Sequence, residues 1–512
     1  MSTIDATSII DSLDDILQED LGRGTFDSFP GLDDAFRFIV SSSTGVEHDR
    51  GGRDFQINHI MEEGVSGSNR WVAVGGPTPM DLNGPGTVTP HQTYIPESSV
   101  IEWPGVGEQA NPGYFRKVVT LARQIGNVCI PIEFATASKL TAAITNVLKA
   151  IIRGSAKNNA LADIQAFYSR TARQEICTIG NTAVVSVNNR GTGDRITLVA
   201  KGGSVRGLHT GMSVDILDAS NNFARLNTGP VHVDGVRFVP GTEGGYGAFT
   251  LQSVAASPEN LNALGIAINA DVIVRANSHV NLGTANAAGL GFIGPAQWLI
   301  NTGPTTPFGI NVVNFPQMQS IVSSLAGEAV TSTIFNRFMG RYFKSYGREN
   351  MPDMAISSPG ARNAYAENSE GLGRYDITGK PLNLMAGYQV NDDNAGVYEG
   401  MHFKWIVSPF MPTDSEMDDA SQIGGEVWFL KTREENLMRY VAPKLDWSKS
   451  STEHGDEVEF IYGGWGPMGI FFPYLSTNGR PTGYLQAPFQ RYVAICPKVM
   501  QGIRLTGVAE SL

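Results

Sequence analysis

Residues 74–90 read VGGPTPMDLNGPGTVTP and form the middle of residues 67–132, the stretch that decides the fold. Its closely spaced prolines and glycines exclude a helix, and apolar residues show no helical period. Loops longer than about 15 residues rarely lack structure inside a compact domain. Trp71 and Trp103 argue against disorder, because disordered segments are poor in aromatic residues. We therefore expect a two-stranded extension that neighbouring molecules cover.

The energetics of this stretch point outward to other molecules. Ordering each residue costs on the order of 1–2 kcal/mol, and a segment of this size has too few contacts of its own to offset that cost. Covering by adjacent subunits would supply the missing contacts. The extended loop is accordingly expected to become rigid only in an assembly.

The residues before this stretch, 1–66, are predicted to form an N-terminal arm. The first twenty residues contain six carboxylates and no lysine or arginine. Ile9, Leu13, Ile16 and Leu17 share one helical face, which predicts a short acidic amphipathic helix. Helices of this length are marginal in water when isolated, so this one is expected either to dock on a partner or to fray.

Two helical regions follow further along the chain. Ser138 is a plausible N-cap for a helix over residues 138–178, with a kink expected at Gly154-Ser155 and Asn158-Asn159. A second helix is predicted for residues 315–345, where Pro316 suits the first turn. Between them, residues 182–282 change to period two, which predicts a small β-barrel or sandwich. The candidate strands are Ala183–Val187, Ile196–Lys201, Met212–Leu217, Val231–Pro240, Ala248–Val254 and Val272–Ala276.

The composition favours a protein that assembles. Glycine makes up 58 of 512 residues, and charged residues make up 17%, below the roughly 25% of ordinary soluble domains. Low charge suits surfaces buried between subunits, although a β-rich monomeric enzyme has a similar composition. The net charge of −12 argues against direct wrapping of DNA and against anionic membranes. No signal peptide and no apolar run long enough to span a membrane is recognised.

Cys129, Cys177 and Cys496 are too widely spaced for a metal pattern and are expected to be free, mostly buried thiols. The nearest approach to a phosphate-binding loop, Gly373 to Pro381, has one residue too many and a proline where a hydroxyl is needed, so it is interpreted as a turn. Gly202 to Arg206 fails the nucleophile-elbow pattern at its last position.

Three acidic stretches were weighed as metal or catalytic sites. Glu453 to Glu459 suits a polar turn entering a strand better than a cation site. Asn391 to Gly396 lacks the ligand spacing of a calcium loop, and Met411 to Asp419 lacks an apolar pocket that would raise one carboxyl pKa. We therefore predict no catalytic, cofactor-binding or metal-binding residues, and no enzyme activity.

The order of these elements resembles the major capsid protein of tailed bacteriophages of the Hong Kong 97 type. Residues 352–359, PDMAISSP, resemble the family's strand entering the axial domain, with Gly360–Asn368 as the helix that follows. Residues 398–412 resemble its glycine, strand and methionine–proline segment, with Phe403, Trp405 and Val407 facing the core and His402 and Lys404 facing outward.

The resemblance implies an α+β Hong Kong 97-like fold with a β-rich insertion, divided into arm, extended loop, peripheral and axial parts. The implied ranges are 1–66 for the arm, 67–132 for the extended loop, 133–181 for the peripheral domain with its spine helix, 182–282 for the β-rich subdomain, 283–350 for a linking segment with the second helix, and 351–512 for the axial domain with closing peripheral strands.

The same resemblance implies that hexamers and pentamers of the chain form the icosahedral head shell around double-stranded DNA, in a virion assembled in the bacterial cytoplasm. A separate scaffolding protein, a portal and a decoration protein are the implied partners, with no membrane partner. No Lys–Asn cross-link triplet can be assigned, so none is predicted.

Three alternatives remain at this point. An encapsulin shell shares the fold but is usually shorter and lacks so large a β-insertion. A secreted β-rich hydrolase is disfavoured by the missing signal peptide, paired cysteines and catalytic residues. A phage tail or decoration protein would be more uniformly β.

Overall fold

The computed structural model describes part of the chain. The described residues are 32–42, 44–45, 54–62, 113–120, 122–131, 154, 157–171, 173–180, 194–201, 205–237, 248–254, 259–276, 278–280, 288–302, 306–313, 318–348, 350–370, 374–375, 381–382, 395–398, 401–412, 423–432, 437–442, 472–475 and 481–510.

These residues form helices and strands in a mixed α and β architecture. The helices are α1 (Asp34–Ser42), α2 (residues 157–168), α3 (Pro295–Trp298), α4 (Ser332–Tyr346) and α5 (Pro359–Glu370). The strands are β1 (Thr44–Gly45), β2 (Asp54–Glu62), β3 (Gly113–Thr120), β4 (Ala122–Pro131), β5 (Cys177–Ile179), β6 (Arg195–Lys201), β7 (Ser213–Asp218), β8 (Ala224–Arg225), β9 (Val231–Arg237), β10 (Ala248–Ser253), β11 (Val272–Arg275), β12 (His279–Val280), β13 (Ala288–Gly289), β14 (Ile321–Ser324), β15 (Met354–Ser357), β16 (Arg374–Tyr375), β17 (Pro381–Leu382), β18 (Ala395–Tyr398), β19 (Met401–Val407), β20 (Ile423–Leu430), β21 (Leu437–Ala442), β22 (Phe472–Leu475), β23 (Pro481–Pro497) and β24 (Ile503–Ala509).

The chain divides into two compact units. One unit is Asp54–Val119, in which β2 pairs with β3. The other unit is Met1–Arg53 together with Thr120–Leu512. The second unit contains the larger sheets and all of the helices named above.

A six-stranded sheet in the order β14-β24-β20-β15-β19-β18 forms the centre of the larger unit. Residues of β15 and residues 424–430 of β20 are buried without alternation, so both faces of the sheet are covered there. Cross-strand register places Trp405, Ala355, Phe429 and Ile503 in one row. This row faces a hydrophobic core shared with α4 and α5.

Helix α4 covers this face because its apolar residues recur at helical spacing. Thr331 caps it by accepting a hydrogen bond from the Ile334 amide at 3.3 Å, and Gly347, at φ +75°, ends it. Phe335 packs on Phe429 with ring centroids 5.7 Å apart. The helix is thus fixed at both ends and along its buried stripe.

The predicted helix over residues 315–345 is wrong in its first half. Ile321–Ser324 is strand β14, paired in parallel with β24, and helix α4 begins only at Ser332. Ala326 and Gly327, at φ +52° and +92°, turn the chain between the two elements. Pairing with β24 overrides the helical spacing of the apolar residues, because Ile321 and Leu325 reach the same core from a strand.

The predicted helix over residues 138–178 is helical at 157–168 but wrong at its C-terminal end. Gln174 adopts φ +55°, and Cys177–Ile179 is strand β5. Ile176 therefore packs in the core of a barrel rather than on a helix face. The part of this prediction before Gly154 lies outside the described residues.

The β-rich region contains a closed six-stranded antiparallel barrel. Strand β11 pairs with both β5 and β7, which closes the ring β11-β5-β6-β10-β9-β7, and β8 adds to β7. Side chains such as Leu198, Ile216, Phe249 and Ile273 fill its interior. The predicted barrel is confirmed, and its described strands lie within about two residues of the predicted ones. The first strand, β5, begins before residue 182, and Ala183–Val187 lies outside the described residues.

Another sheet joins strands from both ends of the larger unit. The 17-residue strand β23 pairs with β21 and β22 along one edge and with β4 along the other, while β1 adds in parallel to β21. The β4 pairing runs from Tyr484↔Pro131 to Val493↔Ala122. The segment that follows β3 is thereby anchored to the C-terminal region of the chain.

Several short predictions for the C-terminal region are confirmed. The strand within residues 352–359 is β15, the helix Gly360–Asn368 is α5, and Trp405 is buried while Lys404 is exposed. The predicted strands Phe403–Val407 and Val427–Leu430 are parts of β19 and β20. The candidate strand Val458–Tyr462 and the side chains of His402 and Phe403 lie outside what the structure describes.

Helix α4 offers a test of the core in which the same residue type is changed on opposite faces. Phe335 is 1% exposed and Phe343 is 40% exposed. Phe335→Ala should lower the free energy of unfolding by about 3–5 kcal/mol, because it leaves a cavity against Phe429. Phe343→Ala should cost about 1 kcal/mol or less. Urea titration of the unassembled subunit measures both, and equal losses would contradict this packing.

Candidate assembly core and its polar anchors

The second face of the central sheet is covered by aromatic side chains from two helices. Tyr168 of α2 stacks on Trp428 of β20 with centroids 5.7 Å apart, and Phe167 meets Trp428 edge-on at 6.3 Å. Phe36 of α1 packs on Phe167 at 5.2 Å. The N-terminal helix, α2 and the sheet are therefore joined through one aromatic cluster, whose geometry is typical of edge-to-face and offset pairs.

A buried carboxylate, Glu426, lies at the edge of this cluster. Arg504 donates to it twice, from Nε to Oε2 and from Nη2 to Oε1, both at 3.0 Å. Trp428 Nε1 donates to Oε2 at 2.7 Å, and Arg170 Nε lies 2.8 Å from Oε1. Arg504 also donates to the Ala296 carbonyl at 2.6 Å. One carboxylate thus connects β20, β24, α3 and the segment after α2.

The electrostatics of Glu426 follow from these partners. The side chain is 2% exposed, and burial alone would raise its pKa. The charges of Arg170 and Arg504, with their hydrogen bonds, outweigh burial and hold the pKa of Glu426 below its usual value. Glu426 is therefore ionised at neutral pH and acts as a structural anion rather than as a proton donor.

A second buried carboxylate, Asp33, fixes the start of α1. Its oxygens accept from the amides of Ala35 and Phe36 at 3.3 and 3.1 Å, as an N-cap does, and from the Tyr168 hydroxyl at 2.7 Å. Burial raises the pKa of Asp33, and it raises the pKa of Tyr168 well above its usual value. The Asp33–Tyr168 hydrogen bond links the described beginning of the chain to the aromatic cluster.

Glu510 forms a third polar anchor beside α5. The Ser358 hydroxyl donates to Glu510 and accepts from the Ala361 amide at 3.2 Å, which caps the helix. Burial raises the pKa of Glu510. A Cβ at Gly425 would lie 2.3 Å from Glu510 Oε1, so only glycine leaves room for this carboxylate. The anchor holds the C-terminal strand against the N-terminus of α5.

The described titratable groups are distributed as structural groups. Burial inside the barrel raises the pKa of the Cys177 thiol, which makes it a poor nucleophile, and burial lowers the pKa values of His209 and His279. Among the described residues no group of three His, Cys, Asp or Glu side chains is arranged to hold a metal ion. Cys177 and Cys496 are free and buried, as predicted, whereas the Cys129 side chain is outside the described part.

The motifs weighed in the sequence fall in separate places. Arg374 and Tyr375 pair with Leu382 and Pro381, so the former phosphate-loop candidate is bounded by a two-stranded antiparallel pair. Of Gly202 to Arg206, only the last two residues are described, in a 3-10 turn. Met411 and Pro412 are buried, while Asp414 to Asp419, Asn391 to Asn394 and Glu453 to Glu459 lie outside the described residues.

The polar anchors Asp33, Arg170, Glu426, Arg504 and Glu510 were not foreseen in the sequence. One available signal was a charged residue inside an otherwise apolar strand, as in EVWFL at 426–430 and IRL at 503–505. Such positions are costly unless an opposite charge is nearby, so they predict a buried ion pair. The partner cannot be identified from spacing alone, because Glu426 and Arg504 are 78 residues apart.

No protein-family model matches the chain, and no curated protein matches it in sequence. Three solved structures are similar to it at low scores. The capsid asymmetric unit of cyanophage A-1(L) matches at TM-score 0.37 and 10% identity, over 92% of each chain. The capsid of Ralstonia phage GP4 matches at 0.32 and 9%, over 90% of this chain and 85% of that one. An encapsulin complex from Synechococcus elongatus matches at 0.23 and 13%, over 42% and 60%.

In the described residues, no helix has both the length and the apolar character needed to cross a membrane.

Glu426→Gln tests the buried anion, since it keeps the shape of the side chain and removes its charge. The substitution leaves Arg170 and Arg504 without a counter-ion, so it should lower the free energy of unfolding by about 3–5 kcal/mol. Asp234→Asn, which breaks the partly exposed pair with Arg195, should cost about 1 kcal/mol or less. Denaturant titration at pH 7 compares them, and equal costs would contradict a structural role for this carboxylate.

The same variant predicts a pH dependence. Because the folded pKa of Glu426 is lowered, its stabilising effect is present above the usual value of 4.5 and is lost as the pH falls toward the folded pKa. The stability difference between wild type and Glu426→Gln should therefore shrink on acidification. Asp33 and Glu510 have raised pKa values and act in the opposite direction in both proteins, so the difference isolates Glu426. A difference that stays constant down to low pH would argue against this assignment.

Proposed function

We propose that the chain is a major capsid protein that self-assembles as hexamers and pentamers into the icosahedral head shell of a tailed bacteriophage. The observation that carries the proposal is the separation of Asp54–Val119 from the rest of the chain as a compact unit, with β2 paired to β3. A shell subunit needs contacts on every side, and an extended arm supplies interface area with few residues, each spanning roughly 3.3 Å. This range overlaps the extended loop predicted for residues 67–132.

The anchoring of this unit supports the same function. Strand β4 follows β3 after one residue and pairs over ten positions with β23. A load applied through β3 would reach a long pairing that joins both ends of the larger unit. Interfaces of about 800 Å² per partner, repeated around each subunit, would then hold a lattice by avidity.

The composition and the described polar groups fit a structural role. Charged residues are 17% of the chain, which suits extensive buried interfaces. The buried carboxylates Asp33, Glu426 and Glu510 are each committed to hydrogen bonds that join elements. We assign the protein no enzyme activity and no cofactor.

The finer assignments belong to the same proposal. They are the Hong Kong 97 type, the six ranges from arm to axial domain, and assembly in the bacterial cytoplasm with a scaffolding protein, a portal and a decoration protein. The rival encapsulin function differs in cargo, because such a shell encloses enzymes. Double-stranded DNA recovered from nuclease-treated particles would separate the two functions.

Replacing residues 63–112 with a flexible Gly–Ser linker of about ten residues tests the proposal. The larger unit should keep the thermal stability of the wild type, while closed particles should be lost, because the extended contacts between subunits are removed. Negative-stain microscopy and sedimentation velocity measure assembly, and calorimetry measures the fold. The matched control replaces residues 238–247, between β9 and β10 of the barrel, with a two-residue turn and should still assemble. Closed particles from the first variant would contradict the proposal.

A further inference from the structure

Helix α4 presents a row of positive charge on the side opposite its core. Arg337, Arg341, Lys344 and Arg348 are exposed, and their spacing of four, three and four residues places them on one helical face that continues past the C-cap. At 1.5 Å per residue the row extends about 16 Å, with steps of about 6, 4.5 and 6 Å. The buried Phe335, Phe338, Met339 and Tyr342 fix the rotation of the helix. We call these four cations the α4 stripe.

The α4 stripe has no counter-charge in the described part of the chain. Residues 332–348 contain no aspartate or glutamate. The recorded ion pairs of the described residues involve other cations, Arg170, Arg173, Arg195, Arg225 and Arg504. The guanidinium of Arg337 lies 5.1 Å from the centre of the Phe338 ring, which orients it without neutralising it. Four unneutralised cations on one helix are unusual in a chain whose net charge is −12.

We propose that the α4 stripe binds the phosphodiester backbone of double-stranded DNA, so that in an assembled shell this helix faces the enclosed nucleic acid. The inference rests on the proposed function and adds a ligand and an orientation to it. Three of the four cations are arginines, whose planar donors suit phosphate oxygens. The exposed neighbours Thr333 and Ser345 can also donate to phosphate. With only a row of charges and no base-reading element, binding would be independent of DNA sequence.

An alternative occupant is the acidic segment 1–20 of this chain. Its six carboxylates complement the stripe in sign. If that segment forms the predicted amphipathic helix, however, its carboxylates lie opposite its apolar face, and pairing with the stripe would leave that apolar face in water. A continuous polyanion meets the stripe without this cost, so we favour DNA.

The test measures the salt dependence of DNA binding by the unassembled full-length subunit. Arg337→Gln/Arg341→Gln/Lys344→Gln removes three charges and keeps good helix formers. Arg37→Gln/Lys157→Gln/Arg206→Gln removes three exposed charges from other elements as the matched control. Fluorescence anisotropy with a labelled 20-base-pair duplex gives the dissociation constant between 50 and 200 mM NaCl. Removing three phosphate contacts should reduce the magnitude of the log–log salt slope by about 2.7, and the control should leave it unchanged.

Each outcome decides the proposal. A lower slope in the stripe variant alone, equal for duplexes of different sequence, supports it. Equal slopes in wild type and both variants overturn it. It is also overturned if the stripe variant keeps its DNA binding but loses carbodiimide cross-links between Lys344 and residues 1–20, since the stripe would then serve the acidic segment. Because the subunit is unassembled, failure of the DNA test leaves particle formation unaffected, and failure to form particles leaves the DNA test readable.

Discussion

Burial of both faces of the central sheet is the constraint on which the larger unit depends. Strand β20 is covered by α4 and α5 on one face and by the aromatic side chains of α1 and α2 on the other. Charge enters this interior at Glu426, where it is matched by Arg170 and Arg504. Since a lone buried charge costs several kcal/mol, these three groups must be brought together for the unit to fold. The ion cluster therefore specifies how elements far apart in the chain meet.

The barrel solves a different problem in the same unit. Its strands are short, and pairing of β11 with both β5 and β7 removes the free edges that an open sheet would expose. The interior is filled by aliphatic side chains with Phe249, so its stability comes from packing within the barrel. Such a subdomain can be carried by a larger fold without contributing to its central core.

Periodicity predicted the parts of this fold whose side-chain pattern and environment agree. The barrel strands alternate inward aliphatic residues, and α5 follows a strand of four buried residues, so both were located from the sequence. The predictions failed at Ile321–Ser324 and at Ile176–Ile179, where apolar residues at helical spacing are paired as strands. The polar anchors were missed for another reason: Glu426 and Arg504, or Asp33 and Tyr168, meet only through tertiary structure. The α4 stripe was visible as spacing, but its orientation needed the position of the core.

These features together describe a subunit with a rigid body, a separate unit at Asp54–Val119 and an uncompensated row of cations. The account's central claim is that residues 67–132 gain their order from neighbouring copies. Hydrogen exchange of this range, measured in the unassembled subunit and in closed particles, tests the claim most directly. The account predicts fast exchange in the subunit and slow exchange in the particle. Equal protection in a stable monomer that forms no particles would contradict it.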